Sequence, residues 1–414
     1  YIATFNYPIY IEENYYGNII VQKDYFNEYS ENMKILHICM CDPYAEGWSY
    51  HRNTMSEQNH KDGHDVAIIT TQYTMGKDGE SLKVKPGTFY TKTGIKVVRL
   101  KDRVPYMPLF IQDRLRWVVG LYPQLVKEKP DVIMVHDIQF ISLKDIVKYK
   151  KEYPDVFLCG DNHGDYFNSA RTFLSREILN KRFYRRIVRK NFKYFDKFLY
   201  ISYETKKFFE EMYGVDLKDA VFSTLSFPIM GQEEKDKLKK RIRKELQLGD
   251  NTILLVHSGK LEERKKTKEI LRALKQIPEA NLKLIIIGSI PEEDRSVLEP
   301  MLEDDVRVEF LGWKNAEKLR EYLAAADLYL QPGTQSVTFM NALSSGTPVM
   351  IYPHISYEPY CNGCEFLVKT EEDIVEVLKN VLSTPEILNE KSIAAFQIAQ
   401  KYFDVKKSAA ELYR

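Results

Sequence analysis

The sequence has almost no net charge, few cysteines and no long hydrophobic run. Its 60 lysine and arginine residues against 59 aspartate and glutamate residues give a formal charge of +1, so there is no electrostatic case for nucleic-acid binding. Five cysteines do not make a disulfide framework and favour a reducing compartment. No apolar stretch approaches the roughly 18 residues of a membrane span, and no secretion signal is recognised. We therefore expect a cytoplasmic protein, with peripheral attachment to the inner face of a membrane left open.

The composition is that of a globular protein with more than one domain. Hydrophobic residues make up 44% and charged residues 29% of the chain, and 414 residues are too many for one ordinary core. Composition and pattern divide the chain into five segments. These are an N-terminal extension outside the fold (1–32), a first domain (33–225), a linker (226–249), a second domain (250–395) and a last helical segment (396–414).

Short apolar runs alternate with helical stretches through both large segments. Residues 34–41 form a nearly continuous apolar run, as expected of a strand buried on both faces. A loop with Gly47, a helix and a second strand follow, which is how a Rossmann-like unit opens. The phosphate-binding fingerprint of three glycines is missing, so we infer no dinucleotide. The pattern also predicts long helices over 109–127 and 169–193. The sequence thus predicts an α/β fold, with two Rossmann-like domains facing a cleft.

Polar side chains follow two of the predicted strands in the first domain. His136 ends one strand, and Asp161, His163 and Asp165 follow another. Ligands of such sheets bind at the carboxyl ends of strands. A lone histidine is more often structural, but this group with its adjacent glycine is more typical of a cleft than of a core. His163 is therefore a candidate catalytic residue, and the other three are weaker candidates on the acceptor side.

Residues 331–350 read as a strand end, a Pro-Gly turn, a helix and a further strand. Ser336 is a good helix N-cap, and the backbone N–H groups at Gln335, Ser336 and Val337 would form an anion site. Asn341 lies about 7.5 Å further along the helix, a distance that suits the ribose of a bound nucleoside diphosphate. The alternative is an ordinary turn without a ligand.

Two lysines follow the first predicted strand of the second domain. Lys260 lies just past the strand, and Lys265 lies near the start of the next helix. Their ammonium groups could neutralise the charge that develops on a departing diphosphate. The alternative is a solvated, charged surface loop.

Several short motifs occur in an order and spacing that resemble one enzyme family. They are Gly63-His64-Asp65-Val66, Ser258-Gly259-Lys260-Leu261 with Lys265, Ile287-Gly288, Phe310-Leu311-Gly312-Trp313, Ala325-Ala326-Asp327-Leu328 and the stretch 342–349. Together they resemble the GT-B glycosyltransferases, most closely family 4, the retaining group, over about residues 33–414.

The resemblance implies that a sugar moves from a nucleoside diphosphate, UDP or GDP, to the hydroxyl of a sugar or a lipid-linked acceptor. It implies retention of configuration, no metal and no further cofactor, and a role in polysaccharide or glycoconjugate synthesis. It also implies that the last helix crosses back to the first domain. By position, Lys260 and Lys265 would contact the diphosphate. Backbone or side-chain contacts to the donor would come from Gly47, Gly259, Gly312, Trp313, Gly333, Gln335, Ser336, Val337 and Asn341.

One departure from the family pattern concerns two glutamates separated by seven residues. Gly333 and Asn341 stand at those positions. The Asn341 amide can still bond a ribose diol, whereas Gly333 offers only backbone, so the Gln335-Ser336 pair would take over contacts to the donor sugar. Two rival functions stay open: a GT-B enzyme resembling the sugar-nucleotide epimerases, and an inactive GT-B binding subunit.

The segment 181–193 is strongly basic, with Lys181, Arg182, Arg185, Arg186, Arg189, Lys190 and Lys193. It is either a solvated helix face or a surface that contacts anionic lipid headgroups. The family often uses lipid-linked acceptors, which keeps the second interpretation open.

Overall fold

The computed structural model describes residues 12–13, 19–20, 32–48, 50–75, 81–333 and 336–413. Most of the predicted N-terminal extension lies outside these residues. The described part of the chain contains strands in both halves. In chain order they are β1 (Glu12–Glu13), β2 (Ile19–Ile20), β3 (Lys34–Cys39), β4 (Asp65–Thr70), β5 (Tyr73–Met75), β6 (Ser81–Lys83), β7 (Gly87–Tyr90), β8 (Lys96–Arg99), β9 (Val132–Val135), β10 (Phe157–Asn162), β11 (Lys197–Tyr200), β12 (Val221–Phe222), β13 (Ile253–Lys260), β14 (Leu282–Ser289), β15 (Val308–Phe310), β16 (Leu328–Gln331), β17 (Val349–Ile351) and β18 (Glu365–Leu367).

Helices form the outer layers. They are α1 (His51–Lys61), α2 (Leu109–Leu115), α3 (Leu121–Glu128), α4 (Leu143–Glu152), α5 (Arg185–Asn191), α6 (Tyr203–Tyr213), α7 (Gln232–Glu245), α8 (Thr267–Lys275), α9 (Glu292–Glu303), α10 (Ala316–Ala325), α11 (Thr338–Ser344), α12 (Glu371–Ser383), α13 (Glu386–Tyr402) and α14 (Val405–Ala410). A π-helical segment, Leu174–Tyr184, leads directly into α5. Short 3₁₀ turns occur at Phe192–Tyr194, Glu263–Lys265 and Ile355–Tyr360.

Two separate parallel sheets form the centres of the two halves. The first has the order β12-β11-β10-β9-β3-β4-β8-β7, in which only β7 runs antiparallel to its neighbour β8. The second has the order β15-β14-β13-β16-β17-β18 and is parallel throughout. The fold is therefore α/β with two Rossmann-like domains, as the alternating pattern predicts.

The central strands are mostly apolar because both faces of each sheet are covered. In β3, Leu36 and Ile38 belong to one core cluster, and Ile35 and Cys39 belong to the cluster on the opposite face. A strand buried on both faces reads as a continuous apolar run and not as an alternating one. This arrangement brings the carboxyl ends of β3, β9 and β10 to one edge of the first sheet.

The chain crosses between the halves twice, and the two crossings lie side by side. The first runs from β12 to α7, and the second runs from α13 to α14. At the crossing point Phe227 N–H donates to the Phe403 carbonyl (2.7 Å), and Val405 N–H donates to the Phe227 carbonyl (3.4 Å). Beyond it α14 packs on α1 of the first half, and Ala409 and Leu412 enter a core of that half.

Three elements differ from their sequence-based predictions. The helix predicted over 169–193 begins later, as the π-helical segment Leu174–Tyr184, and only Arg185–Asn191 is α-helical. The single helix predicted over 109–127 is two helices, because Arg116 adopts a left-handed φ of 47° and Gly120 a φ of 86°. Helix α7 falls in the predicted linker, but it packs on α10 of the second half. Its Ile242 is fully buried, and its Lys235 hydrogen-bonds the Gly346 carbonyl. Only the stretch between β12 and α7 therefore serves as a connection.

Candidate active site

A cleft of about 850 Å³ lies between the two halves. Its walls come from the loop before α1, the strand ends of the first sheet, the first crossing, α10 and the start of α11. Five of the residues singled out in the sequence line it: Gly47, His136, His163, Val337 and Asn341. The cleft thus brings acceptor-side and donor-side candidates together, although they lie up to 294 positions apart in the sequence.

Asp161 anchors the first-half side of this cleft. It lies on β10 with 1% of its surface exposed, and its Oδ2 accepts hydrogen bonds from His163 Nε2 (3.1 Å) and His136 Nδ1 (3.0 Å). Its Oδ1 accepts the Asp137 N–H at 2.8 Å. The His163 N–H in turn donates to Asp137 Oδ1 at 2.8 Å. The buried carboxylate therefore fixes the orientation of both imidazole rings.

The charges in this group favour a protonated His163. Burial lowers the pKa of His163, but the charge and hydrogen bond of Asp161 and the charge of Asp137 outweigh it and raise the pKa to about 9. Burial alone would raise the pKa of Asp161, yet His163 and His136 hold it well below its usual range. Nδ1 of His163 forms no hydrogen bond to any described residue, so this histidine presents an N–H donor to the cleft.

His51, Asp161 and His163 place their possible ligand atoms within 4.8 Å of one another. Asp161 already accepts three N–H groups. His51 is kept neutral because burial and the neighbouring His163 lower its pKa to about 3. A metal ion would have to displace the protons that hold this group together, and we assign none to it.

Glycines let the strand ends of the second sheet approach closely. A Cβ at Gly288 would overlap the Gly259 carbonyl oxygen, and the Gly288 N–H donates to the Gly312 carbonyl at 3.1 Å. Lys260 is the last, exposed residue of β13 and pairs with Ser289 of β14, so it belongs to the strand itself. The side chain of Trp313, next to Gly312, is 66% exposed. Seven of the donor-side candidates are not among the residues that line the cleft: Gly259, Lys260, Lys265, Gly312, Trp313, Gly333 and Ser336.

Lys265 lies next to Gly259 at this strand edge, and its charge is not paired with any residue that the structure describes. Its side chain is largely buried, and no hydrogen bond or ion pair joins its ammonium group to any described residue. Burial lowers its pKa, Arg264 adds to this effect, and Glu262 opposes it. Gly333 packs against the same loop, because a Cβ at this position would overlap the Arg264 carbonyl oxygen. The loop backbone thus fills the space that a larger residue at 333 would need.

The start of α11 differs from the anion site that the sequence predicts. The helix begins at Thr338, and the Ser336 N–H is not free because it donates to the Tyr357 hydroxyl at 3.2 Å. Gln335 lies outside the described residues. Ser336 Oγ still accepts the Thr338 N–H at 3.3 Å. Val337, 48% exposed, and Asn341 reach the cleft.

Asp165 has a local role in the structure. Its Oδ1 accepts the N–H groups of Phe167 and Asn168, both at 2.7 Å, and it is not among the cleft-lining residues. It therefore stabilises the turn after His163.

Sequence reasoning missed part of the cleft wall. Trp48 and Tyr50 stack with ring centroids 5.4 Å apart and planes 4° from parallel, and the Arg52 guanidinium lies 4.3 Å from the Tyr50 centroid. The spacing of two aromatic residues and an arginine at alternate positions was the available signal. His51 also lines this wall, and its Nδ1 lies 3.4 Å from the Ser226 hydroxyl of the first crossing, within hydrogen-bond distance.

Comparison with solved structures shows which class of protein this fold defines. HepE of Anabaena in complex with UDP and glucose aligns with 92% of this chain and 98% of its own, at a TM-score of 0.58 and 13% identity. Sucrose-phosphate synthase of Thermosynechococcus elongatus aligns with 92% of this chain and 97% of its own, at a TM-score of 0.63 and 14% identity. At such identities the likeness shows the fold, which is GT-B.

Sequence comparison gives the family. The model described as Glycosyltransferase Family 4 matches residues 47–221, and the one described as Glycosyl transferases group 1 matches residues 238–397. The α-galactosylglucosyldiacylglycerol synthase of Streptococcus pneumoniae is 24% identical over 173 residues, 39% of this chain and 45% of that protein. The match thus spans less than half of that relative's length. The chain belongs to the GT-B glycosyltransferases of the family 4 type.

Proposed function

We propose that this glycosyltransferase moves a hexose from a nucleoside-diphosphate sugar to an acceptor hydroxyl with retention of configuration. The observation that carries the proposal is the pairing across the cleft: His163, fixed on Asp161, lines one side, and Asn341 lines the other. In support, HepE and this chain share the fold, and HepE binds UDP and glucose. The base, UDP or GDP, stays undecided.

Protonation of His163 argues for the retaining course. A histidine with its pKa raised to about 9 is an imidazolium at neutral pH and cannot accept the acceptor's proton. It can donate from Nδ1 to an oxygen of the donor sugar or of the acceptor. The acceptor's proton then goes to the departing phosphate oxygen on the same face of the sugar, as the bond to the leaving group breaks and the new glycosidic bond forms.

The diphosphate is the proposed partner of Lys265, with Lys260 as an outer contact. A buried ammonium group without a partner gains most from an anion, because desolvation strengthens the attraction. No metal or further cofactor is needed for this step in the proposal, since cationic side chains supply the charge. Backbone groups of Gly259, Gly312 and Val337 would complete the donor site.

Turnover assays test this proposal and its rivals. We expect the protein to bind one nucleoside diphosphate in isothermal titration and to transfer the matching sugar to a glycosylated acceptor, with an anomeric configuration in the product equal to that of the donor by NMR. An inverted product would overturn retention. Epimerised or hydrolysed donor without any need for an acceptor would favour the epimerase-like alternative. Absence of nucleotide binding would favour the inactive subunit.

We also propose that the acceptor is carried on a lipid. Exposed apolar side chains precede the basic segment: Phe167, Phe173 and Leu174 are 71%, 70% and 68% exposed. They are followed by four exposed cations that form no ion pair with any described residue: Arg182, Arg186, Arg189 and Lys190. Arg182, Arg186 and Lys190 recur every four residues and share one helix face. Apolar residues beside such cations fit an anionic bilayer surface.

Vesicle sedimentation tests the lipid surface. We expect binding to vesicles that contain phosphatidylglycerol and little binding to pure phosphatidylcholine. Reversal of Arg182, Arg186 and Lys190 to glutamate should abolish it, while the matched reversal of Lys237, Lys240 and Lys244 on α7 should not. An equal loss of vesicle binding in both triple variants would show that binding depends only on net charge. It would contradict a specific lipid-binding surface. No helix among the described residues has the length and apolar character to span a bilayer.

A further inference from the structure

A row of buried polar side chains joins the last helix of the chain to the cleft. Asn59 of α1 donates from Nδ2 to the Ala409 carbonyl of α14 at 3.2 Å, and its Oδ1 lies 3.0 Å from His37 Nε2. His37 Nδ1 lies 3.0 Å from His136 Nε2. We call the following residues the histidine row: Ala409, Asn59, His37, His136, Asp161 and His163.

The donors and acceptors at one end of the row fix the tautomer of His37. A carbonyl oxygen only accepts, so Asn59 turns its amide nitrogen to Ala409 and its amide oxygen to His37. That oxygen also only accepts, so Nε2 of His37 carries the hydrogen. Burial and the charge of His136 lower the pKa of His37 to about 3. The ring is therefore neutral, and its Nδ1 is left as an acceptor.

The same reasoning sets the hydrogens of His136. Its Nε2 faces the acceptor nitrogen of His37 and must donate to it. Its Nδ1 faces Oδ2 of Asp161, an ionised carboxylate, and must donate there as well. An imidazole that donates from both nitrogens is an imidazolium. A second cation thus contacts the carboxylate oxygen that holds His163.

We propose that His37 is a positioning residue for the transfer reaction. Asn59 and Ala409 hold His37 in one tautomer, and His37 in turn keeps His136 an imidazolium. The charge of His136 then weakens the interaction between Asp161 and the protonated ring of His163. With two cations on one carboxylate, each is held less firmly than it would be alone. The inference depends on the proposed function only for the part of His163 in transfer. The other titratable groups that face the row are His51 and Arg52 of α1, Cys39 of β3, Asp137 after β9, and Cys159 of β10.

Two substitutions at one position separate this role from packing. In His37→Gln the side-chain amide can donate to Asn59 and accept from His136, which keeps the direction of the row. His37→Leu offers neither group, so the buried His136 should lose its second proton. We expect the His163 titration midpoint to rise by about one pH unit in His37→Leu and to stay at the wild-type value in His37→Gln.

The direct measurement is ¹⁵N NMR of histidine-labelled full-length protein between pH 5.5 and 10, with signals assigned from His136→Gln and His163→Gln. At pH 7 wild type and His37→Gln should show both His136 nitrogens protonated, and His37→Leu should show a neutral ring. A neutral His136 in the wild type, or one His163 midpoint in all three proteins, would overturn the inference.

Activity gives the second readout. The basic limb of the kcat–pH profile should move upward in His37→Leu only, by the same shift as the His163 midpoint. A shift of the His163 midpoint by NMR without any change in the kcat–pH profile would support the effect of His37 on His163. It would also show that the proton of His163 has no part in the transfer step. Should His37→Leu fail to fold, Asn59→Leu serves instead, because it frees His37 to carry its hydrogen on Nδ1, and the same His163 shift is then expected.

Discussion

Lys265 folds back over Gly259, with its Nζ 3.6 Å and its Cε 3.3 Å from the point where a Cβ of that glycine would stand. Gly259 has a φ of 136°, a backbone conformation that residues other than glycine rarely adopt. The glycine therefore provides the space in which the lysine stem lies. The lysine brings a desolvated charge to the carboxyl edge of the second sheet.

Removal of this charge should impair transfer far more than folding. We expect Lys265→Ala to lower kcat about 100-fold or more, because a preorganised cation at a departing diphosphate contributes on the order of 3 kcal/mol. The melting temperature should stay within a few degrees, since the ammonium group forms no hydrogen bond or ion pair with any described residue. Steady-state turnover and calorimetry on the same preparation measure the two effects.

Lys275→Ala is the matched control for that variant. Lys275 lies at the far end of α8 and pairs with Asp304 at the surface, so turnover should be unchanged. Parallel loss of stability and turnover in Lys265→Ala would mean that the lysine supports the fold and not the reaction.

Gly333 provides a test of the donor site that does not alter a charge. A methyl group at this position overlaps the Arg264 carbonyl, so Gly333→Ala should push away the loop that carries Lys265. We expect nucleoside-diphosphate affinity to fall at least tenfold in isothermal titration, with about 1–3 kcal/mol of lost stability from overpacking. Gly249→Ala meets only Thr252 Oγ1 at 3.5 Å and should retain wild-type affinity. Unchanged affinity in Gly333→Ala would show that this loop does not contribute to the donor site.

The His163–Asp161 pair should make stability depend on pH. The pKa of His163 is raised in the folded protein to about 9 from 6.5, so its contribution is complete below pH 6.5 and is lost as the pH rises through 9. We expect the difference in unfolding free energy between wild type and His163→Gln to fall by roughly 3 kcal/mol over this window. Urea titrations at pH 6, 7.5 and 9.5 measure it, and a constant difference would contradict the ion pair.

Lys235 should give the opposite slope. Burial, with a smaller effect of Lys239, lowers its pKa from 10.5 to about 7, so the unfolded chain binds more protons between these two values. Stability relative to Lys235→Met should therefore increase with pH above 7, by at most about 1.4 kcal/mol per pH unit. Chemical unfolding between pH 6.5 and 9.5 tests this, and equal slopes for the two proteins would show that Lys235 is not desolvated.

Strands buried on both faces could be predicted from the sequence, whereas unusual backbone conformations and individual hydrogen bonds between distant residues could not. The apolar run at residues 34–41 predicts strand β3 correctly, because both faces of that strand are buried. His37 lies within that run and reads as part of it, since its partner His136 is 99 residues away. The break in the helix predicted over 109–127 depends on Arg116 taking a left-handed conformation, which its residue type does not indicate. The prediction that Ser336 offers a free N–H failed because Tyr357, from another loop, takes it.

The two adjacent crossings at Phe227 and Phe403 limit how the enzyme can move. Any motion that separates Phe227 from Phe403 would break these backbone hydrogen bonds, whereas a bend of one half about this line would keep them. Hinging would also widen or narrow the distance between His163 and Asn341. A change in the width of the cleft that keeps both crossings intact is thus expected to be a bend of one half toward the other.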